Sequence, residues 1–275
     1  MTCLSIRPLL TALAAATALA MPAVAPLAAQ DLDDIVTLEV LEGWRTHNGT
    51  HMAGLQFTLA PGWKTYWRVP GDGGIPPRFA WTGSRNLDAV AFHWPVPAVF
   101  HINAMRSIGY EGTVVLPVEL AATDPSAPVR LAGQVQIGVC EEVCMPVLLE
   151  FDTILPVSAD RDAAIVAALV DRPRTAAEAG VRQATCTVAP AADGLQVTAS
   201  VTMPPLPGTE EVVIETADQQ VWVSEPDTTR RGDTLVAQSD MIHVGGGPIT
   251  LDRSQVRITV LAGAQAVTIE GCEAG

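Results

Sequence analysis

Proline and glycine interrupt this 275-residue sequence so often, 21 and 22 times, that few stretches leave room for a long helix. What lies between the breaks is short and β-rich. Residues 36–40 form an apolar run, and 52–59 alternates, with Met52, Gly54 and Gln56 set against Ala53, Leu55, Phe57 and Leu59. Residues 110–120 centre on Val114-Val115-Leu116, and 129–140 and 147–155 are further β-rich runs. Pro61-Gly62, Pro70-Gly71, Gly73-Gly74, Pro76-Pro77, Pro95 and Pro97 punctuate them. Such spacing predicts an all-β sandwich rather than βαβ units.

One helix is predicted, over 159–170, with Ser158 as N-cap, Asp160 and Asp162 in the first turn and Pro173 as the stop. Ile165, Val166, Leu169 and Val170 give it an apolar side. A second β series follows at 185–189, 195–201, 211–215, 220–223, 234–238, 249–251, 256–261 and 266–269. The predicted organisation is therefore a sandwich over 30–157, a helical linker over 158–180 and a second sandwich over 181–275.

Residues 1–29 read as an export signal: Arg7 is the only charge before Asp31, and an Ala/Leu-rich run ends near Ala28-Ala29. An uncleaved anchor is the alternative, since 8–30 is uncharged, but Pro22, Pro26 and the weak hydrophobicity favour the signal. Cleavage after Ala29 leaves 246 residues and moves the formal charge from −14 to −15. The expectation is a soluble, exported, periplasmic chain with no membrane span after processing. A charged fraction of 17% against 48% hydrophobic residues excludes a disordered acidic tail, and no basic stripe exists for nucleic acid.

Five cysteines become four once Cys3 leaves with the signal, and an even count in an oxidising compartment reads as two disulfides. Cys186 and Cys272 bracket the second sandwich. Their bridge closes a loop of about 86 residues, worth roughly 4–5 kcal/mol by chain entropy, and is predicted to be structural. Cys140 and Cys144 flank Glu141-Glu142-Val143 between two β-rich runs, a spacing that sets two strand ends opposite each other. That loop is worth only about 2 kcal/mol, so the pair is a poor staple and a better reversible redox couple. Glu141 and Glu142 oppose thiolate formation, and the motif contains no Lys, Arg or His to favour it. A pair attacked by a partner's thiolate fits better than an activated nucleophile. A copper(I) reading is the rival, with Met145, His47, His51, Met52, His93, His101 and Met105 as further soft ligands, although no metal-ligand spacing joins them.

Trp63-Lys64-Thr65-Tyr66-Trp67-Arg68-Val69-Pro70-Gly71-Asp72-Gly73-Gly74-Ile75-Pro76-Pro77 resembles a segment of the N-terminal domain of the thiol:disulfide interchange DsbD family. The Trp94-Pro95 step, Ile108-Gly109-Tyr110-Glu111-Gly112, Val115-Leu116-Pro117-Val118 and the Cys140/Cys144 hairpin add to it in the same order. The suppressor-of-copper-sensitivity B branch is the most similar. The resemblance covers about residues 31–157 and extends loosely beyond. It implies an immunoglobulin-like redox module. In this family the module takes electrons from a membrane hub through a thioredoxin-like domain and passes them to periplasmic oxidoreductases. Cys140 and Cys144 take the place of the exchanging pair. A cap loop with an aromatic shield falls within 99–106, with Phe100 as the shield, His101 and Met105 beside it and Tyr66 lining the site. The family's multi-helix membrane domain and C-terminal thioredoxin fold have no counterpart in this sequence, so the expectation is a separate donor and separate periplasmic targets, or else a different task. No cofactor and no resident metal are implied. Two other readings remain open from the sequence: a copper(I)-binding protein, and an interaction module whose disulfides are only structural.

Overall fold

The computed structural model describes residues 34–102, 105–158 and 160–275. The signal expected at 1–29 lies outside the described residues, as do Asn103, Ala104 and Ala159. The first sandwich is built from β1 (Val36–Arg45), β2 (His51–Leu59), β3 (Lys64–Tyr66), β4 (Arg78–Ala80), β5 (Ala89–Phe92), β6 (Ala98–Ile102), β7 (Met105–Glu111), β8 (Thr113–Ala121), β9 (Val129–Cys140) and β10 (Cys144–Leu155). One sheet runs β1-β2-β8-β5, the other β10-β9-β3-β7-β6 with β4 also on β9. The run expected over 110–120 is two strands in different sheets. Gly112, at φ +65°, turns the chain from β7 into β8.

Strand alternation sorts the side chains. On β9, Val135, Ile137 and Val139 enter the core with Leu55, Phe57, Leu120, Leu131 and Leu155. Gln136, Gly138 and Cys140 therefore occupy the outer face of that sheet, and the chemistry of the molecule collects there.

Helix α1 (Ala163–Val170) starts later than the sequence predicts. Asp162, not Ser158, is its N-cap: the Oδ1 carboxylate oxygen accepts from the Ala164 and Ile165 backbone N–H groups at 2.8 and 3.1 Å. The helix is also more than a connector. Ile165 is fully buried against Met52 and Val115, over Gly54, where a Cβ would stand 2.9 Å from Ile165 Cγ1.

The second sandwich comprises β11 (Arg174–Thr175), β12 (Gln183–Ala191), β13 (Gly194–Thr202), β14 (Glu211–Glu215), β15 (Val221–Val223), β16 (Asp227–Arg231), β17 (Thr234–His243), β18 (Arg257–Ala262), β19 (Gln265–Glu270) and β20 (Glu273–Ala274). Its sheets run β11-β19-β18-β14 and β15-β17-β13-β12-β20, with β16 on β17. Residues 249–251, read as a strand from their apolar content, form none. The strand the sequence hid is β16, whose Asp-Thr-Thr-Arg-Arg carries no apolar residue and pairs along one edge of β17.

The two sandwiches pack together in one compact unit. Trp67, Ile108 and Tyr110 of the first meet Val213, Leu261 and Ala266 of the second in a shared apolar cluster. Arg68 grips Glu215 through two hydrogen bonds, Nε to Oε1 at 3.0 Å and Nη2 to Oε2 at 2.9 Å. Arg106, buried on β7, donates from Nη1 to Glu211 Oε2 and to the Val212 carbonyl, each at 3.2 Å. Among the described residues no helix is long and apolar enough to cross a membrane.

Candidate redox site

β9 and β10 form an antiparallel hairpin whose last register pair is Cys140 with Cys144, and the structure joins the two as a disulfide. The loop between them, Glu141-Glu142-Val143, is exposed, with Val143 at 68% of its full accessibility. The two cysteines are unequally placed. Cys140 is 6% exposed and Cys144 belongs to the exposed residues. Cys144 is therefore the more accessible residue of the pair.

Three neighbouring strands complete the site by alternation alone. β3 pairs with β9 so that Lys64 stands opposite Cys140, and with β7 so that Tyr66 stands opposite Gly109. β6 pairs with β7 so that Phe100 stands opposite Ser107. Cys140, Lys64, Tyr66, Gly109, Ser107, Phe100 and Met105 thus share the outer face. The Tyr66 hydroxyl donates to Cys144 Sγ at 3.1 Å. Burial pushes the Tyr66 phenol above its usual value, so it keeps its proton and stays a donor near neutral pH. The Lys64 ammonium lies 5.0 Å from the centroid of the Phe100 ring.

Glycines make room for Tyr66. A Cβ on Gly138 would stand 2.7 Å from Tyr66 Cδ2 and 2.6 Å from Ile75 Cβ. One on Gly74 would stand 2.9 Å from Tyr66 Cδ1. The turn-rich segment 67–77 therefore folds back over the tyrosine and leaves it 3% exposed, with its hydroxyl against the disulfide. Thr65 fastens β3 beneath, its hydroxyl donating to the Gly138 carbonyl at 2.8 Å.

Of the residues singled out from the sequence, Tyr66 touches Cys144, and Phe100 covers Lys64 on the same face. Met105 shares that face, 59% exposed, with its Sδ 3.8 Å from where a Cβ on Gly73 would stand. His101 does not join them. It alternates with Phe100 and so points to the reverse face, where its Nε2 lies 3.3 Å from Glu211 Oε1 of the second sandwich. Met145, one of the soft ligands weighed for copper, also turns away, pairing with Val139 and packing on the apolar core. No group of three or more His, Cys, Asp or Glu side chains is placed to hold a metal ion among the described residues.

The hairpin motif itself holds no basic group, and the fold supplies one from β3, Lys64, which the motif does not mark. A signal was present: Lys64 is the only lysine in the sequence, two positions before Tyr66 and hence on its face.

The second disulfide, Cys186–Cys272, sits differently. Cys186 on β12 is fully buried in the second core, and β20 pairs in parallel with β12 through Thr185 and Glu273. The bridge holds the chain's last strand in place and offers no sulfur comparable to that of Cys144.

Comparison with known proteins gives a family match for the first sandwich and a fold match for most of the chain. Residues 37–156 match the family described as "Thiol:disulfide interchange protein DsbD, N-terminal". The fold matches the crystal structure of the N-terminal periplasmic domain of ScsB from Proteus mirabilis with a TM-score of 0.66, at 23% identity over 90% of this chain and 97% of that one. Comparison with curated proteins gave no match. The family match thus falls on the sandwich that carries Cys140 and Cys144, and that sandwich is similar to the N-terminal domain of the DsbD family.

Proposed function

We propose that this chain is a periplasmic thiol–disulfide exchange module that relays electrons from a separate membrane-bound or thioredoxin-like donor to periplasmic oxidoreductases through Cys140 and Cys144. The observation that carries the reading is the asymmetry of the pair: an exposed Cys144, its sulfur hydrogen-bonded by Tyr66, backed by a buried Cys140. A donor thiolate attacks Cys144 Sγ, a new S–S bond forms to the donor, and the Cys140–Cys144 bond breaks with its electron pair on Cys140. The donor's second thiolate attacks its own sulfur in the mixed disulfide and releases Cys144 as a thiolate. Donor and module have then exchanged one disulfide for one dithiol. Run in reverse on an oxidised target, Cys144 attacks and Cys140 resolves. The family match and the periplasmic origin of the ScsB domain support both the chemistry and the compartment.

The test uses reduced thioredoxin as a defined donor. The expected result is stoichiometric opening of Cys140–Cys144 with Cys186–Cys272 intact. A mixed disulfide should accumulate between Cys140→Ser, its remaining Cys144 first converted to the thionitrobenzoate disulfide, and a thioredoxin whose resolving cysteine is replaced by serine, with thionitrobenzoate as the leaving group, and not with Cys144→Ser treated alike. A pair that stays closed, together with no adduct from either variant, overturns the reading in favour of purely structural bridges.

A further inference from the structure

Lys64 is a lysine in an unusual place. It is 6% exposed, and long cationic side chains are seldom buried without a counter-charge. No carboxylate lies within 4.0 Å of its ammonium among the described residues, and it makes no hydrogen bond to a side chain there. Among the described residues its ammonium lies against the face of Phe100. The acidic groups around it stay outside. Glu111, its register partner on β7, is exposed; Glu141 packs its carboxylate against Gly62; Glu142 and Asp72 are exposed. Every other strongly basic side chain in the sequence is an arginine. The one lysine is thus buried directly across a strand pair from the buried cysteine, where Cβ atoms lie about 5 Å apart.

The stem of Lys64 is buried across from Cys140 while its ammonium is not among the buried side-chain atoms that lack a partner, so the charge can turn toward an anion that appears during the reaction. We infer that Lys64 is the counter-ion of the Cys140 thiolate, unpaired in the disulfide form and paired when the bond opens. The inference deepens the exchange reading and rests on it. When a donor thiolate attacks Cys144, the electron pair of the broken bond settles on Cys140 Sγ. That sulfur is shut off from water, and burial alone would disfavour its charge. The Lys64 ammonium offsets this, lowering the barrier to departure and holding the reduced pair ready to resolve the return reaction. Labour is thereby divided across the face: Tyr66 hydrogen-bonds Cys144, Lys64 turns to neutralise Cys140, and Phe100 holds the ammonium while the disulfide is closed. Arginine at this position would present a broad planar fork; the compact ammonium on a flexible stem suits a single sulfur atom.

Two measurements test this on the full processed chain. First, incorporation of ε-13C lysine gives a single side-chain resonance, because there is one lysine. That resonance is expected to shift when Cys140–Cys144 is opened by glutathione. An unchanged resonance across oxidised and reduced forms overturns the inference without any mutation. Second, Lys64→Met keeps the apolar stem and removes the charge, and Lys64→Arg keeps the charge. An opposite charge this close favours a thiolate by one or more pKa units. Lys64→Met should therefore shift the glutathione equilibrium of the pair about tenfold toward the disulfide, about 30 mV, and Lys64→Arg should recover most of that shift. Equal equilibria in all three proteins overturn the inference while leaving the exchange reading intact. A parent protein whose pair does not open in glutathione at all refutes the exchange reading itself.

Discussion

Replacing Tyr66 by phenylalanine removes one oxygen from the redox face and leaves the ring that Gly74 and Gly138 accommodate. In the oxidised protein the hydroxyl donates to a disulfide sulfur, a weak acceptor. In the reduced protein the same hydroxyl meets a thiol or thiolate, and a hydrogen bond to a charged group contributes about 1.5–3 kcal/mol. The difference between the states, taken at the lower end, corresponds to about one pKa unit for Cys144 and about 30 mV for a two-electron couple. Tyr66 stays protonated because its own titration is pushed up by burial, so it donates across the whole assay range. Tyr66→Phe should therefore raise the midpoint of the pH–alkylation curve of Cys144 by about one unit. Where the thiolate dominates, the variant should favour the disulfide about tenfold more than the parent. The assay is quench alkylation in graded glutathione buffers with mass spectrometry, and Cys186–Cys272 serves as the internal control. An unchanged alkylation midpoint and an unchanged equilibrium would refute the assignment of Tyr66 as the hydrogen-bond donor that tunes Cys144.

Gly138→Ala places a methyl group 2.7 Å from Tyr66 Cδ2 and 2.6 Å from Ile75 Cβ, so it should cost about 1–3 kcal/mol in urea unfolding and alter Cys144 alkylation in the same direction as Tyr66→Phe. Cys186→Ser with Cys272→Ser should lose roughly 2–5 kcal/mol of stability in denaturant unfolding while glutathione exchange at Cys140–Cys144 persists. The Thr50 hydroxyl, at 2.7 Å, holds the Glu119 carboxyl below its ordinary 4.5, with burial opposing and His93 at 3.1 Å adding to the effect. A carboxylate depressed in the folded state contributes stability that is full above that ordinary value and is lost as pH falls through the lowered one. Glu119→Gln should accordingly flatten the stability profile between about pH 2 and 5, read by thermal unfolding.

Much of the sheet architecture was legible because its signals are local. Alternation in 52–59 marks β2, the proline and glycine breaks mark the strand ends, and three residues between two cysteines mark a hairpin. What escaped has a common cause: it depends on which strands become neighbours. β16 is polar and is held by pairing along β17, not by burial of its own side chains. The apolar 249–251 looked like a strand yet finds no ladder partner. Helix α1 begins at Asp162 because a carboxylate there satisfies two backbone donors, a competition that Ser158 loses. At the site, Cys140, Cys144 and Tyr66 could be named from the sequence. The reverse placement of His101 follows from the β6–β7 register, and the approach of Lys64 to Cys140 from the β3–β9 register. Neither register is written in a short motif.

Two disulfides that differ in kind, one exchanging and one structural, separate in a single redox titration of the protein without residues 1–29, with both pairs followed by alkylation and mass spectrometry. Cys140–Cys144 should open in mild glutathione buffers while Cys186–Cys272 remains closed. Opening of both pairs at the same potential, or resistance of both, would contradict that difference.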